Sequence, residues 1–424
     1  MNYSLIANRL RTKIGQFSGY VSLGLDKTAS RFVSEAVYGL MSSRSVMLTE
    51  IGRSLQSEVK LKKIEERFCR QLAKPDLWKN IHDRVLSHAK DKITEKTLLI
   101  LDPSDIHKPY AKKMEYLAYV RDGSTGNNYS KGYNTNQIIA CNLGSKEVIP
   151  LYQELYSKKE QGFKSENKKI MQSIEMVSKH TGNKGIWVID RGADRRRLYE
   201  ELIHYRDPTK TKNFIIRMVG NRHLIYNGKS INTTELAHKC KTYYTQVITK
   251  QTSHGPLTFH VSCGYKKVKL PGFNQQLYMM VAKGFGKKPM MLLTTLPLRK
   301  NRKVLQDTLA SYLQRWSIEQ TIRFVKQSYD LENIRVLSYT RLQNMMALLL
   351  VAFYFQAVIL SGAQKLVVMT GHVLKEAKRV FGIPLFQYYA IGDGLSAIFK
   401  RAPGRITTKK YKNLNPNQLN FGFT

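Results

Sequence analysis

Two apolar runs close on an aspartate, TLLILD at Asp102 and GIWVID at Asp190, and a third carboxylate, Glu319, stands in the run YLQRWSIEQTIRFVK. In a mixed α/β sheet, strand ends border a crevice where polar side chains are exposed. If the two strands are neighbours, their carboxylates face one another, and a hard divalent cation is the simplest relief of the repulsion. Taken singly, each aspartate reads first as a turn residue or a helix N-cap, because Pro103-Ser104 follows one and Arg191-Gly192 the other. Asp105, beyond the proline, competes for the first position and reads as a turn or supporting group.

Tyr312, Arg315, Glu319, Arg323 and Lys326 are spaced by three, four, four and three residues, which predicts that all five share one face of one helix. Such a stripe is also a common solvated arrangement in which Glu319 pairs with Arg315 and Arg323. Leu313, Trp316, Ile322 and Val325 give the same helix an apolar side, so it packs and holds its charged face in place. A fixed carboxylate among cations suits phosphate chemistry: arginine grips phosphate in bidentate fashion, lysine acts as a point charge, and tyrosine packs or hydrogen-bonds along a backbone.

The rest of the chain points to the same substrate class. Its 424 residues carry 69 Lys+Arg against 31 Asp+Glu, a formal charge of +38 spread along the whole length, which calls for a polyanion, and nucleic acid is the natural one. Cys69, Cys141, Cys240 and Cys263 form no C-x-x-C pair, so neither a zinc site nor a disulfide framework is expected, and the set suits a reducing cytoplasm. The first twenty residues lack the apolar core of a secretory signal. The run from Met345 to Leu360, apolar except for Gln356, is shorter than the roughly 18 to 20 residues of a membrane span and reads as a buried helix. No G-x4-G-K-[ST] loop is present, so no nucleotide cofactor is expected.

Periodicity divides the chain. Residues 1–90 read as helical, with two helices joined near Gln56-Ser57. The second carries Lys60, Lys62, Lys63, Arg67 and Arg70, and pattern alone does not separate a groove-entering helix from a solvated one whose lysines pair with Glu65 and Glu66. Residues 91–219 alternate strands and helices, 220–297 read as a β-rich insertion, 298–335 as the helix with the polar stripe, and 336–424 as a helical region with a basic tail at Lys400, Arg401, Arg405, Lys409, Lys410 and Lys412. The fold class is α/β.

The run from Tyr312 to Lys326 resembles the Y-x2-R-x3-E-x6-K signature of a large family of bacterial insertion-sequence transposases with a ribonuclease-H-like core; all four positions match. LLILDPSDIHK and IWVIDRGADRRRLY look like that family's two aspartate blocks, and LTEIGRSL resembles its amino-terminal helical region, so the resemblance spans residues 45 to 360 or so. It implies a ribonuclease-H-like mixed sheet preceded by a helical DNA-binding domain, with Asp102, Asp190 and Glu319 as catalytic and metal-binding triad and Tyr312, Arg315 and Lys326 on the phosphates of the transposon end. Two Mg2+ ions, replaceable by Mn2+, a homodimer on DNA, and transposon-end and target DNA as partners follow from it, as does the β-rich insertion between the second aspartate and the glutamate helix. Relatives open the second strand through a hairpin aided by a tryptophan, and this chain departs from them with Met290; a methionine can wedge into a base stack, and Trp316 remains within the signature as a further DNA contact. Arg323, Lys62, Lys63 and Arg67 complete the expected DNA contacts. Two other readings stay open: a nuclease of the same fold that does not join strands, and a DNA-binding regulator without catalysis.

Overall fold

The computed structural model describes residues 2–121, 129–204, 210–252, 255–375 and 386–407. It opens with five helices: α1 (Tyr3–Val21), α2 (Lys27–Ser43), α3 (Leu48–Arg53), α4 (Leu61–Leu72) and α5 (Leu77–Ala89). The side chains of Asn2 and Asp26 accept the Leu5 and Ala29 N–H groups and so begin α1 and α2. Ile64, Phe68 and Leu72, each four residues from the last, bury one face of α4 and leave its lysines outside.

The mixed sheet contains β1 (Leu98–His107), β2 (Ala118–Arg121), β3 (Tyr129–Cys141), β4 (Ile149–Tyr156), β5 (Ile186–Ile189) and β6 (Asn213–Arg217), with α6 (Glu166–Thr181) before β5 and α7 (Arg196–Leu202) after it. β1 lies between antiparallel β3 and parallel β5, and β6 continues parallel to β5. A second group follows: β7 (His223–Tyr226), β8 (Lys229–Asn232), α8 (Thr233–His238), β9 (Tyr244–Thr252), β10 (Gly255–Val268), β11 (Leu277–Lys283) and β12 (Met290–Thr294). Among the described residues β7 and β8 form a separate two-stranded sheet; β12 pairs with β6, Leu293 opposite Ile216, so the order β2-β3-β1-β5-β6-β12-β11-β10-β9 is one continuous sheet. The segment expected as an insertion therefore extends the main sheet, because the apolar β12 has one edge to bury against β6.

The last part comprises α9 (Arg302–Leu313), α10 (Trp316–Ser328), α11 (Tyr339–Tyr354), α12 (Gly362–Lys375) and α13 (Tyr388–Arg401). α11 runs into a wider turn at Phe355–Ile359, giving a 21-residue apolar stretch whose most apolar window is 83% buried. The stretch is thus longer than its sequence suggested and long enough to cross a membrane. Its burial identifies it as a core helix: α2, α4 and α5 pack on it from one part of the chain and β4 from another. The opening helices consequently share one hydrophobic core with the closing ones.

Candidate active site

β1 and β5 run parallel in register from Leu98 opposite Ile186 to Leu101 opposite Ile189, and Asp102 and Asp190 are the next residue on each. The two aspartates thus emerge side by side at the carboxyl edge of the sheet. One expectation needs correcting: Asp102 does not end its strand. β1 continues to His107, paired with β3 alone, and Pro103 and Asp105 lie within it, not in a turn. A proline, which has no N–H to give, is tolerated there because β5 has ended and that edge of β1 is free.

The polar stripe is not one face of one helix. The chain breaks between α9 and α10, where Arg315 N–H bonds to the Tyr312 carbonyl at 3.1 Å and Ile318 N–H to the Arg315 carbonyl at 3.0 Å, tighter turns than an α-helix makes. The break turns Tyr312 and Arg315 inward, to 3% and 7% exposure, while Arg323 stays on the surface. Tyr312 donates its hydroxyl to Asp190 Oδ1 at 2.8 Å. Arg315 donates to Glu319 Oε1 at 2.8 Å and holds Nη1 3.8 Å from Asp102 Oδ2, and its buried Nε has no hydrogen-bond partner. Lys326 reaches Asp105 at 3.1 Å and Glu332 at 3.7 Å, and His107 Nε2 lies 3.0 Å from the same Asp105. The signature cations are therefore engaged with carboxylates.

Electrostatics separates the two aspartates. Burial pushes the Asp102 carboxyl up to about 7; Arg315 opposes this, while Glu319 and Asp190 add to it. Burial also works against charge on Asp190, yet the Arg191 N–H, the Tyr312 hydroxyl and the Arg315 and Arg217 cations outweigh it and hold that carboxyl below its ordinary value. Arg315 is itself raised: burial opposes its charge, and Asp190, Tyr312, Asp102 and Glu319 together overcome that. One guanidinium thus serves three carboxylates. Among the described residues no three of His, Cys, Asp and Glu stand together closely enough to hold an ion. The donor set nevertheless fits a hard divalent cation in type and charge, since oxygen ligands short of positive charge are what such an ion satisfies.

The remaining expected residues are dispersed. Met290 begins β12, antiparallel to β6, and so lies half-buried at the same sheet edge as the aspartates. Trp316, 37% exposed, has Lys250 Nζ 4.2 Å above its ring. Lys62 and Lys63 are exposed on α4, Lys63 pairing with Glu66 at 3.2 Å. Arg67 is held by Glu35 at 2.6 Å and lies over the Phe68 ring, so it serves packing and is not free for a groove. Arg405 pairs with Glu58, and Lys409, Lys410 and Lys412 lie outside the described residues. Sequence reading missed His107 and Glu332; the alternation Asp105, His107 around buried Ile106 was the available signal for the first.

Residues 93–355 match the family model of the transposase DDE domain. Similar solved structures include the piggyBac transposase synaptic complex with hairpin DNA, 12% identical over 93% of this chain and 80% of that one with a TM-score of 0.43. The Drosophila P element transposase strand transfer complex is 11% identical over 78% of this chain and 72% of that one, with a TM-score of 0.19. No curated protein matches the chain.

Proposed function

The chain belongs to the DDE transposase family, which the match over more than half of its length establishes, and on that premise we propose that it cuts DNA at transposon ends and joins them to target DNA through Asp102, Asp190 and Glu319. The observation that carries this reading is the placement of Asp102 and Asp190 on adjacent parallel strands with Arg315 linking Asp102 to Glu319. The order β4-β3-β1-β5-β6, with β3 alone antiparallel to its neighbours β1 and β4, supports a ribonuclease-H-like core.

Asp102, Asp190 and Glu319 would hold two magnesium ions, or manganese in their place, which when bound would supply Lewis acidity toward a phosphodiester and a more nucleophilic water or 3′-hydroxyl. The protein's own part is positioning. Tyr312 fixes the Asp190 carboxylate, and Arg315 keeps Glu319 and Asp102 from repelling one another until a cation and a phosphate share that task. Lys326 binds Asp105 and Glu332, and Asp105 lies three positions along β1 from Asp102, which puts the lysine beside a strand laid along β1. Met290, at the same edge, stands where relatives carry a tryptophan, and a methionine there can wedge into a base stack if the second strand opens through a hairpin. The protein acts as a cytoplasmic homodimer, with 1–90 reading terminal repeats, 91–219 and 298–335 forming the catalytic core, and 220–297 and 336–424 supporting DNA.

Incubating pre-cut ends with a target plasmid tests the function: covalently joined products are expected. Ends that are only hydrolysed would favour a nuclease of the same fold.

A further inference from the structure

Beyond the carboxylate edge, a concave pocket of about 580 Å³ lies between the end of β1 and the segment after α10, its wall including His107, Lys108, Tyr110, Lys112, Lys113 and Arg335. Its floor is built: Lys108 donates to the carbonyls of Glu332 and Ile334, both at 2.7 Å, tying the two segments together. The charges facing it are Lys108, Lys112, Lys113 and Arg335 against Glu332, which is engaged with Lys326. Lys112, Lys113 and Arg335 are exposed and have no partner among the described residues. Tyr110 stands at the wall 94% exposed, an aromatic ring with nothing packed on it.

We propose that this pocket binds a single-stranded stretch of DNA, with the Tyr110 ring stacking on an unpaired base and Lys112, Lys113 and Arg335 on its phosphates. An unpacked aromatic interleaved with unpaired cations is the arrangement that holds single strands, since every base has a face to stack and every linkage a charge. A cavity of this volume admits a nucleotide and excludes a duplex, which has to lie across the rim. His107 stands five positions along β1 from Asp102, about 16 Å at strand rise, so the bound nucleotide lies a few linkages from the phosphodiester at the carboxylates. The proposal rests on the transposase reading and adds to it the strand state and the contact site.

The test uses the full-length protein and a fluorescent eight-residue oligothymidylate at moderate salt. Tyr110→Ala is expected to weaken binding at least fivefold, and Lys112→Glu with Lys113→Glu at least tenfold, with thermal melting unchanged and duplex binding altered less than twofold by Tyr110→Ala. An oligonucleotide carrying 5-iodouracil is expected to crosslink within residues 108–114. Unchanged oligothymidylate affinity in Tyr110→Ala, equal losses for duplex and single strand, or crosslinks mapping elsewhere overturns the proposal. Because no cleavage is read, the pocket stands or falls separately from the catalytic reading.

Discussion

The Tyr312 hydroxyl closes on Asp190 Oδ1 at 2.8 Å across 122 residues of sequence, joining the last turn of α9 to the end of β5. The contact falls at the break where α9 stops at Leu313 and α10 begins afresh at Trp316. A continuous helix would carry Tyr312 and Glu319 on one face and leave Asp190 without this donor.

Tyr312→Phe keeps the buried ring and removes one hydrogen bond to a charged acceptor, an interaction of about 1.5–3 kcal/mol. End nicking is expected to slow about tenfold or more, and the melting temperature to fall by a few degrees. Single-turnover nicking rates and a melting curve check both halves.

Asp102 gives a pH signature. Its folded value of about 7 lies above the ordinary carboxylate value of 3.8, so between these the native state holds a proton that the unfolded chain has lost. Stability falls as pH rises through that window, and above pH 7 the charged, partly buried carboxylate opposes folding. Asp102→Asn is expected to raise the metal-free melting temperature at pH 8 by about 2–4 °C and to change it little at pH 4. Calorimetric scans at the two pH values decide it.

Arg315→Gln leaves three carboxylates without their shared cation. Removing one partner of a buried charge group costs about 3 kcal/mol, so the metal-free variant is expected to melt several degrees below wild type. A divalent cation replaces the missing charge, so millimolar manganese is expected to stabilise the variant more than wild type. Equal manganese shifts in both proteins would remove Arg315 from its counter-ion role.

On α4 the cations divide by partner. Lys62→Ala with Lys63→Ala is expected to reduce the salt dependence of end binding without changing stability. Arg67→Ala is expected to lower the melting temperature through loss of Glu35 and the Phe68 face. Binding titrations at several salt concentrations, alongside melts, separate the two.

Much of this site is legible in the chain. TLLILD and GIWVID fix strands by their apolar runs, and their aspartates fall together because the two strands run parallel in register from Leu98 opposite Ile186 to Leu101 opposite Ile189. The helix spacing of the signature was legible, but its break was not: LQRWS contains no glycine or proline, and the turn is imposed by Tyr312 and Arg315 finding carboxylates far away in sequence. Likewise β1 does not stop at Pro103, since pairing with β3 outlasts pairing with β5. β6 takes the antiparallel, apolar β12 as its neighbour, so the strands after residue 220 continue the main sheet, a pairing that periodicity alone does not reveal.

The most direct measurement is magnesium-dependent cleavage of the native element end, taken from DNA flanking the coding region, by wild type, Asp102→Asn and Glu319→Gln. Nicks at the element boundary are expected from wild type only, with all three proteins binding the end. Equal cleavage by the variants, or binding without cleavage by every protein, would contradict the catalytic assignment.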